Sequence, residues 1–168
     1  MTSRFAVYAG SFDPPTIGHV WMIEQGAALF DRLQVAVGSN PEKRALFSAP
    51  ERCAMLGALT STLPNVEVAS FEQQYLIRHA QAIGAGFMLR GIRSSHDYEY
   101  ERGMRNVNGD LGPGVTTVFL MPPRGIAEVS SSLVKGLIGP EGWQDVVRGF
   151  VPPVVLEQLL RSGGRGGA

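Results

Sequence analysis

Apolar positions along the chain alternate between two periods. Arg4-Phe5-Ala6-Val7-Tyr8-Ala9 is a nearly continuous apolar run of strand length. The residues after it place Val20, Ile23, Ala27, Leu29 and Phe30 at helical spacing. The same exchange recurs. Leu33 to Gly38 reads as a buried, valine-rich strand. Ser48-Ala49-Pro50-Glu51 is a capping box with proline in the first turn, opening a helix that carries Cys53, Met55, Leu56 and Leu59. Val66 to Ala69 is a third strand, and Tyr75 to Ile83 is a helix. Gly86 to Leu89 is a fourth strand, ending at Arg90-Gly91. Asp97 to about Asn108 reads as a helix capped by Asp97, and Val115 to Met121 as a fifth, β-branched strand. Ser130-Ser131-Ser132 opens another helix, and a last one spans Pro152 to Leu160.

Strand–helix alternation of this regularity predicts an α/β fold, a doubly wound parallel five-stranded sheet with helices on both faces. Residues 1–161 are expected to form one domain, and 162–168, rich in glycine, a disordered C-terminal tail. With strand order 3-2-1-4-5, the order reverses between the first and fourth strands. Ligands sit beyond the strand ends at such a point. The loops at Gly10 and Arg90 then face one crevice.

The residues in those loops suit phosphate. Gly10-Ser11-Phe12-Asp13-Pro14-Pro15-Thr16-Ile17-Gly18-His19 joins a strand to a helix start, where bare N–H groups and the helix dipole favour an anion. His19 adds a potential cation. Arg90-Gly91-Ile92-Arg93 puts two guanidinium groups just past a strand, planar donors for phosphate oxygens. Ser130 to Ser132 offer hydroxyls at a helix start, although a serine there serves by default as a cap. Lys43, in the loop after the second strand, gains weight from this company. Asp97 and Glu101 share a helix face and suit a ribose hydroxyl. Met104 and Asn108 share one too, for lining a pocket or for packing. His79 in mid-helix and His96 in a loop read as ordinary structural histidines.

Charge narrows the partners. Fifteen basic and fifteen acidic side chains balance, so no general basic field points to nucleic acid. The single cysteine, Cys53, excludes an internal disulfide and reads as a core residue. No metal-ligand spacing accompanies it. No apolar run reaches membrane-spanning length, and a soluble, cytoplasmic protein is expected.

Together, GSFDPPTIGH, RGIRSSHDYEYE and SSSLVK resemble the bacterial phosphopantetheine adenylyltransferases, in register from about residue 4 to about 160. The T-x-G-H element marks the wider nucleotidyltransferase superfamily, and the other two are more specific. The resemblance implies a Rossmann-like fold and adenylyl transfer from Mg-ATP to 4′-phosphopantetheine. The products would be dephospho-CoA and pyrophosphate, a step of coenzyme A biosynthesis. It implies Mg2+ arriving with ATP, no metal held by the protein itself, and a homo-oligomer, typically a hexamer. Carried over by position, His19 would stabilise the transition-state oxygens. Ser11, Lys43 and Arg90 would hold the attacking phosphate. Arg93 and Ser130, Ser131 and Ser132 would take the β- and γ-phosphates, and Glu101 the ribose. Phe12, Gly91 and Ile92 would complete the ATP contacts, and Tyr75, Met104 and Asn108 would flank the pantetheine arm.

The chain departs from the family pattern at three places. Ile126-Ala127-Glu128-Val129 stands where an aromatic residue is usual. Gln74-Tyr75-Leu76-Ile77-Arg78 replaces Gly-Leu-Leu-Val-Asp, and Ala9 replaces a proline. A relative with another acceptor (nicotinate mononucleotide or a phosphorylated alcohol) and a nucleotide-binding module without turnover are the alternative readings.

Overall fold

A computed structural model describes residues 3–38 and 45–163. Five parallel strands, β1 (Phe5–Gly10), β2 (Arg32–Gly38), β3 (Val66–Phe71), β4 (Phe87–Gly91) and β5 (Thr116–Leu120), form one sheet in the order β3-β2-β1-β4-β5. The expected order is therefore the observed one, with its reversal at the β1/β4 seam. Tyr8 pairs with Leu89 there.

Both faces of the sheet are covered, which explains why its central strands are apolar at nearly every position. Ala6, Tyr8, Leu33 and Val35 face a layer made by α1 (Ile17–Leu29) and α2 (Ala49–Leu59). Phe5, Val7, Ala9 and Ala36 face the opposite layer, where α3 (Leu76–Ala82) supplies Ile77 and Ala80. Contact is close enough to require glycine at two places. A Cβ on Gly26 would lie 2.9 Å from both Leu33 and Leu89, and one on Gly112 only 2.3 Å from Ile77. A third core joins α2 to the C-terminal helices α6 (Ser131–Leu137), α7 (Trp143–Val147) and α8 (Pro153–Arg161), through Met55, Val134, Val147 and Leu159.

Local sequence signals place most element ends. Ser48 and Glu51 form the capping box anticipated for α2, with both reciprocal hydrogen bonds present. One cap differs. Helix α4 (Ser95–Leu111) starts earlier than expected, because Ser94 and not Asp97 is its cap, accepting from the Asp97 N–H at 3.1 Å. The Asp97 carboxylate is drawn to Arg93 instead. His96 consequently lies in the first turn of α4 and not in a loop. Two short helices, α5 (Arg124–Ala127) and α7, were not anticipated, being too short to show a period. Ser162 closes α8, and residues 164–168 of the expected tail lie outside the described residues.

Candidate active site

The loop after β1 is built around two buried side chains. Phe12 adopts a positive φ of 48° and turns its ring into the core, edge-on to Tyr8 at 5.5 Å and to His19 at 5.0 Å. Any contact of Phe12 with a nucleotide is thus left to its backbone. Asp13, almost wholly buried, accepts from the Leu46 and Phe47 N–H groups at 2.9 Å and from Lys135 Nζ at 3.2 Å. These bonds fasten the loop to the start of α2 and to α6.

His19 is positioned by the cap of its own helix. Thr16 caps α1, and its backbone N–H donates to His19 Nδ1 at 3.0 Å. A backbone N–H only donates, so Nδ1 is the unprotonated nitrogen and Nε2 carries the proton. Burial, helped by the charge of Arg93, pushes the His19 pKa down to about 4. The expectation of a cation at this position is corrected: at neutral pH the ring is a neutral Nε2–H donor.

Arg90, at the end of β4, donates through Nε to Glu101 Oε2 at 3.0 Å and through Nη2 to Oε1, while Nη1 donates to the Ala9 carbonyl at 3.2 Å. Burial disfavours the guanidinium charge, but the hydrogen bonds and charge of Glu101 outweigh it and hold the pKa above its ordinary value. Arg93 donates through Nε and its backbone N–H to Asp97 Oδ2, at 2.9 and 3.2 Å. Burial raises the Asp97 pKa, yet the Arg93 bonds win and hold the carboxyl below the usual range. Asp97 and Glu101 do share a helix face, but each meets an arginine across it.

Three hollows run side by side along the strand ends. The central one, about 310 Å³, is lined by Tyr8, Gly10, Gly18, His19, Arg90 and Arg93 among others. A more apolar groove of about 260 Å³ shares Gly10, Arg90 and Glu101 with it and continues past Phe71, Tyr75, Met104 and Asn108. A third hollow of about 210 Å³ shares Arg93 and Asp97 and adds Ser94, Glu128 and Ser130. The distant motifs at residues 10–19 and 90–93 thus meet at one crevice, and Tyr75, Met104 and Asn108 meet at a second.

The serine run is partly committed elsewhere. Ser130 accepts from the Leu133 N–H as the cap of α6, and Ser131 Oγ donates to the Pro14 carbonyl at 2.8 Å. Ser132 is exposed. Ser11 is exposed too, beside the crevice, whereas Lys43 lies outside the described residues. Gly91 lines the central hollow, and Ile92 is buried and donates its N–H to the Leu120 carbonyl. Of the variant segments, Glu128 is exposed at the outer hollow, and Arg78 points along its helix to Gln81.

Two residues escaped the sequence reading. Buried Arg52 donates through Nη1 to the Ser11 carbonyl at 2.6 Å and the Gly38 carbonyl at 3.1 Å, and through Nε to the Phe47 carbonyl at 3.0 Å. An arginine on the apolar face of a capped helix was the available signal. Tyr8 lines the central hollow from the strand, and burial raises its phenol pKa far enough to keep its proton.

The cytidylyltransferase-like family model matches residues 7–137. A phosphopantetheine adenylyltransferase of Neisseria meningitidis is 56% identical over 159 residues, covering 95% of this chain and 94% of the relative. One from Chromobacterium violaceum is 55% identical over 155 residues, covering 92% and 94%. Among solved structures, the Plasmodium falciparum nicotinic acid mononucleotide adenylyltransferase complexed with NaAD superposes with a TM-score of 0.70 at 12% identity, covering 94% of each chain. At that identity the likeness is one of fold.

Proposed function

The chain belongs to the phosphopantetheine adenylyltransferases, within the cytidylyltransferase-like nucleotidyltransferases, and on that premise we propose how its three hollows divide the reaction. Adenylyl transfer from ATP to 4′-phosphopantetheine, releasing pyrophosphate and dephospho-CoA, is the activity. One observation carries the division of labour: the central crevice and the apolar groove share the Arg90–Glu101 wall. Two anions brought to either side of one guanidinium are in position to react.

The pantetheine arm lies in the groove along Tyr75, Met104 and Asn108. Its phosphate reaches Arg90 and Ser11, and Lys43 is proposed as a further ligand from its place in the sequence alone. Mg-ATP enters as substrate, its α-phosphate beside His19, its β- and γ-phosphates toward Arg93, Ser130 and Ser132. An acceptor phosphate oxygen attacks the α-phosphorus, and the bond from that phosphorus to the bridging β-oxygen breaks as pyrophosphate leaves. No covalent enzyme intermediate is needed. The neutral Nε2–H of His19 donates to the non-bridging oxygen on which charge builds. Glu101 fixes Arg90 with both oxygens, and its spare acceptor capacity serves a ribose hydroxyl. Ser131 acts through its tether to Pro14. Phe12, Gly91 and Ile92 contribute backbone to the nucleotide side.

The decisive measurement is pyrophosphate release with ATP or CTP and with phosphopantetheine, nicotinate mononucleotide and glycerol 3-phosphate in turn. Turnover with ATP and phosphopantetheine is expected. Turnover with another acceptor would reassign the groove, and binding without turnover would leave a nucleotide-binding module. We further propose that the enzyme works in the cytoplasm as a homohexamer, which light scattering in solution tests. Among the described residues, no helix is long and apolar enough to cross a membrane.

A further inference from the structure

Behind the apolar groove runs a line of polar side chains that the transfer chemistry does not use. Strand β2 turns Gln34 toward α3, on the face that Ala36 shares. There Gln34 Nε2 donates to Glu67 Oε1 at 2.9 Å, and Glu67 is held in turn by Arg32 Nη2 at 2.8–2.9 Å. A carboxylate without a proton only accepts, so this bond fixes the Gln34 amide with its oxygen facing the other way. That oxygen meets His79 Nε2 at 2.6 Å, which makes Nε2 the protonated ring nitrogen. Nδ1 then accepts from Gln74 Nε2 at 3.4 Å, and burial lowers the His79 pKa, which favours the neutral ring. The groups that face one another are thus assigned as donor or acceptor from Glu67 through Gln34 and His79 to Gln74.

The imidazole so fixed lies against Phe71, ring centroids 4.8 Å apart and planes 23° from parallel. Phe71 is the last residue of edge strand β3, and its ring lines the groove. It covers Gly38, where a Cβ would stand 3.3 Å from it. An apolar pair in place of Gln34 and His79 would fill the same space without desolvating an amide and an imidazole. What the polar pair adds is direction.

We infer that His79, oriented by Gln34, is a positioning residue for the acceptor: it sets the plane of Phe71 and thereby the width of the groove that receives the pantetheine arm. The inference rests on the groove being the acceptor site, and its test separates the two. His79→Phe keeps a stacking ring but removes the directed bond. Its KM for phosphopantetheine should rise about fivefold, what one hydrogen bond's net contribution converts to. Its kcat and its KM for ATP should stay within about twofold, since neither substrate phosphate meets the line. Gln34→Leu should raise the same KM, and the double variant should add little to either single change.

Met104→Ala, on the facing wall, reports on the groove itself. If it raises the acceptor KM and His79→Phe does not, the positioning role is overturned while the groove keeps its substrate. If neither moves that KM, the groove assignment falls and the inference with it. A lowered melting temperature and kcat with both KM values unchanged would make His79 a structural residue only. Should the His79 variant fail to fold, Phe71→Ala replaces it, and an unmoved acceptor KM there also overturns the inference.

Discussion

The central crevice and the apolar groove share a wall and differ in nearly everything else. In the crevice the charged side chains are paired, Arg90 with Glu101 and Arg93 with Asp97, and the neutral His19 is held through Nδ1 by the backbone of Thr16. The groove is lined instead by Phe71, Tyr75 and Met104, held by packing and by one polar line behind them. A preorganised polar site acts on developing charge and therefore on rate, whereas apolar walls act on affinity. Damage to one region should appear in kcat, and damage to the other in KM.

The largest break in that comparison comes from His19→Ala, for which turnover should fall about a thousandfold while ATP affinity changes less than about threefold. An equal loss of ATP binding, by calorimetry, would make His19 a ground-state ligand and blur the distinction. Next, Arg52→Met strands the Ser11, Gly38 and Phe47 carbonyls at the mouth of both regions. It should cost about 3 kcal/mol in urea unfolding, and a loss below about 0.5 kcal/mol would deny Arg52 that tie. Glu101→Gln loosens the shared wall and should lower kcat/KM about tenfold for both substrates alike. A loss confined to ATP would mean that the carboxylate matters to the reaction through the ribose and not through its hold on Arg90.

Smaller effects concern protons and the rim. His19 stays neutral until about pH 4, so between about pH 8 and 5 it should add no limb to the profile of kcat/KM for ATP. The stability gained by holding the ring neutral is complete above its ordinary pKa of 6.5 and is lost as pH falls from there toward 4. Ring 15N spectra check this, and a titration near 6.5 would contradict it. Smallest of all, Tyr75→Ala should raise the acceptor KM only about twofold, because the ring is 67% exposed at the rim of the groove.

Much of this organisation was legible beforehand, for a physical reason visible at particular residues. Ser48 and Glu51 announce α2 because a cap is a bargain among neighbours in the chain. The apolar runs at residues 5–9 and 33–37 announce buried strands because both faces must be covered. The helix at Ser94 shows the limit of such signals: two good caps stood within one turn, and Arg93, by engaging Asp97, left the role to serine. Helices α5 and α7 had too few residues to show a period at all.

The sequence alone therefore settled the five strands and the longer helices, which follow from short-range pattern, and the expected strand order is the observed one. Tertiary structure decided the partners. Nothing in local spacing says that Glu101 spends both oxygens on Arg90, that Arg52 reaches Ser11 across the domain, or that His79 meets Gln34. It also settled the state of His19, neutral and proton-bearing at Nε2, because burial and one backbone N–H set that state and neither is written in the T-x-G-H motif. Those pairings exist because packing the helices on the sheet brings remote side chains within hydrogen-bond reach and takes them out of water, where each polar group must find a partner.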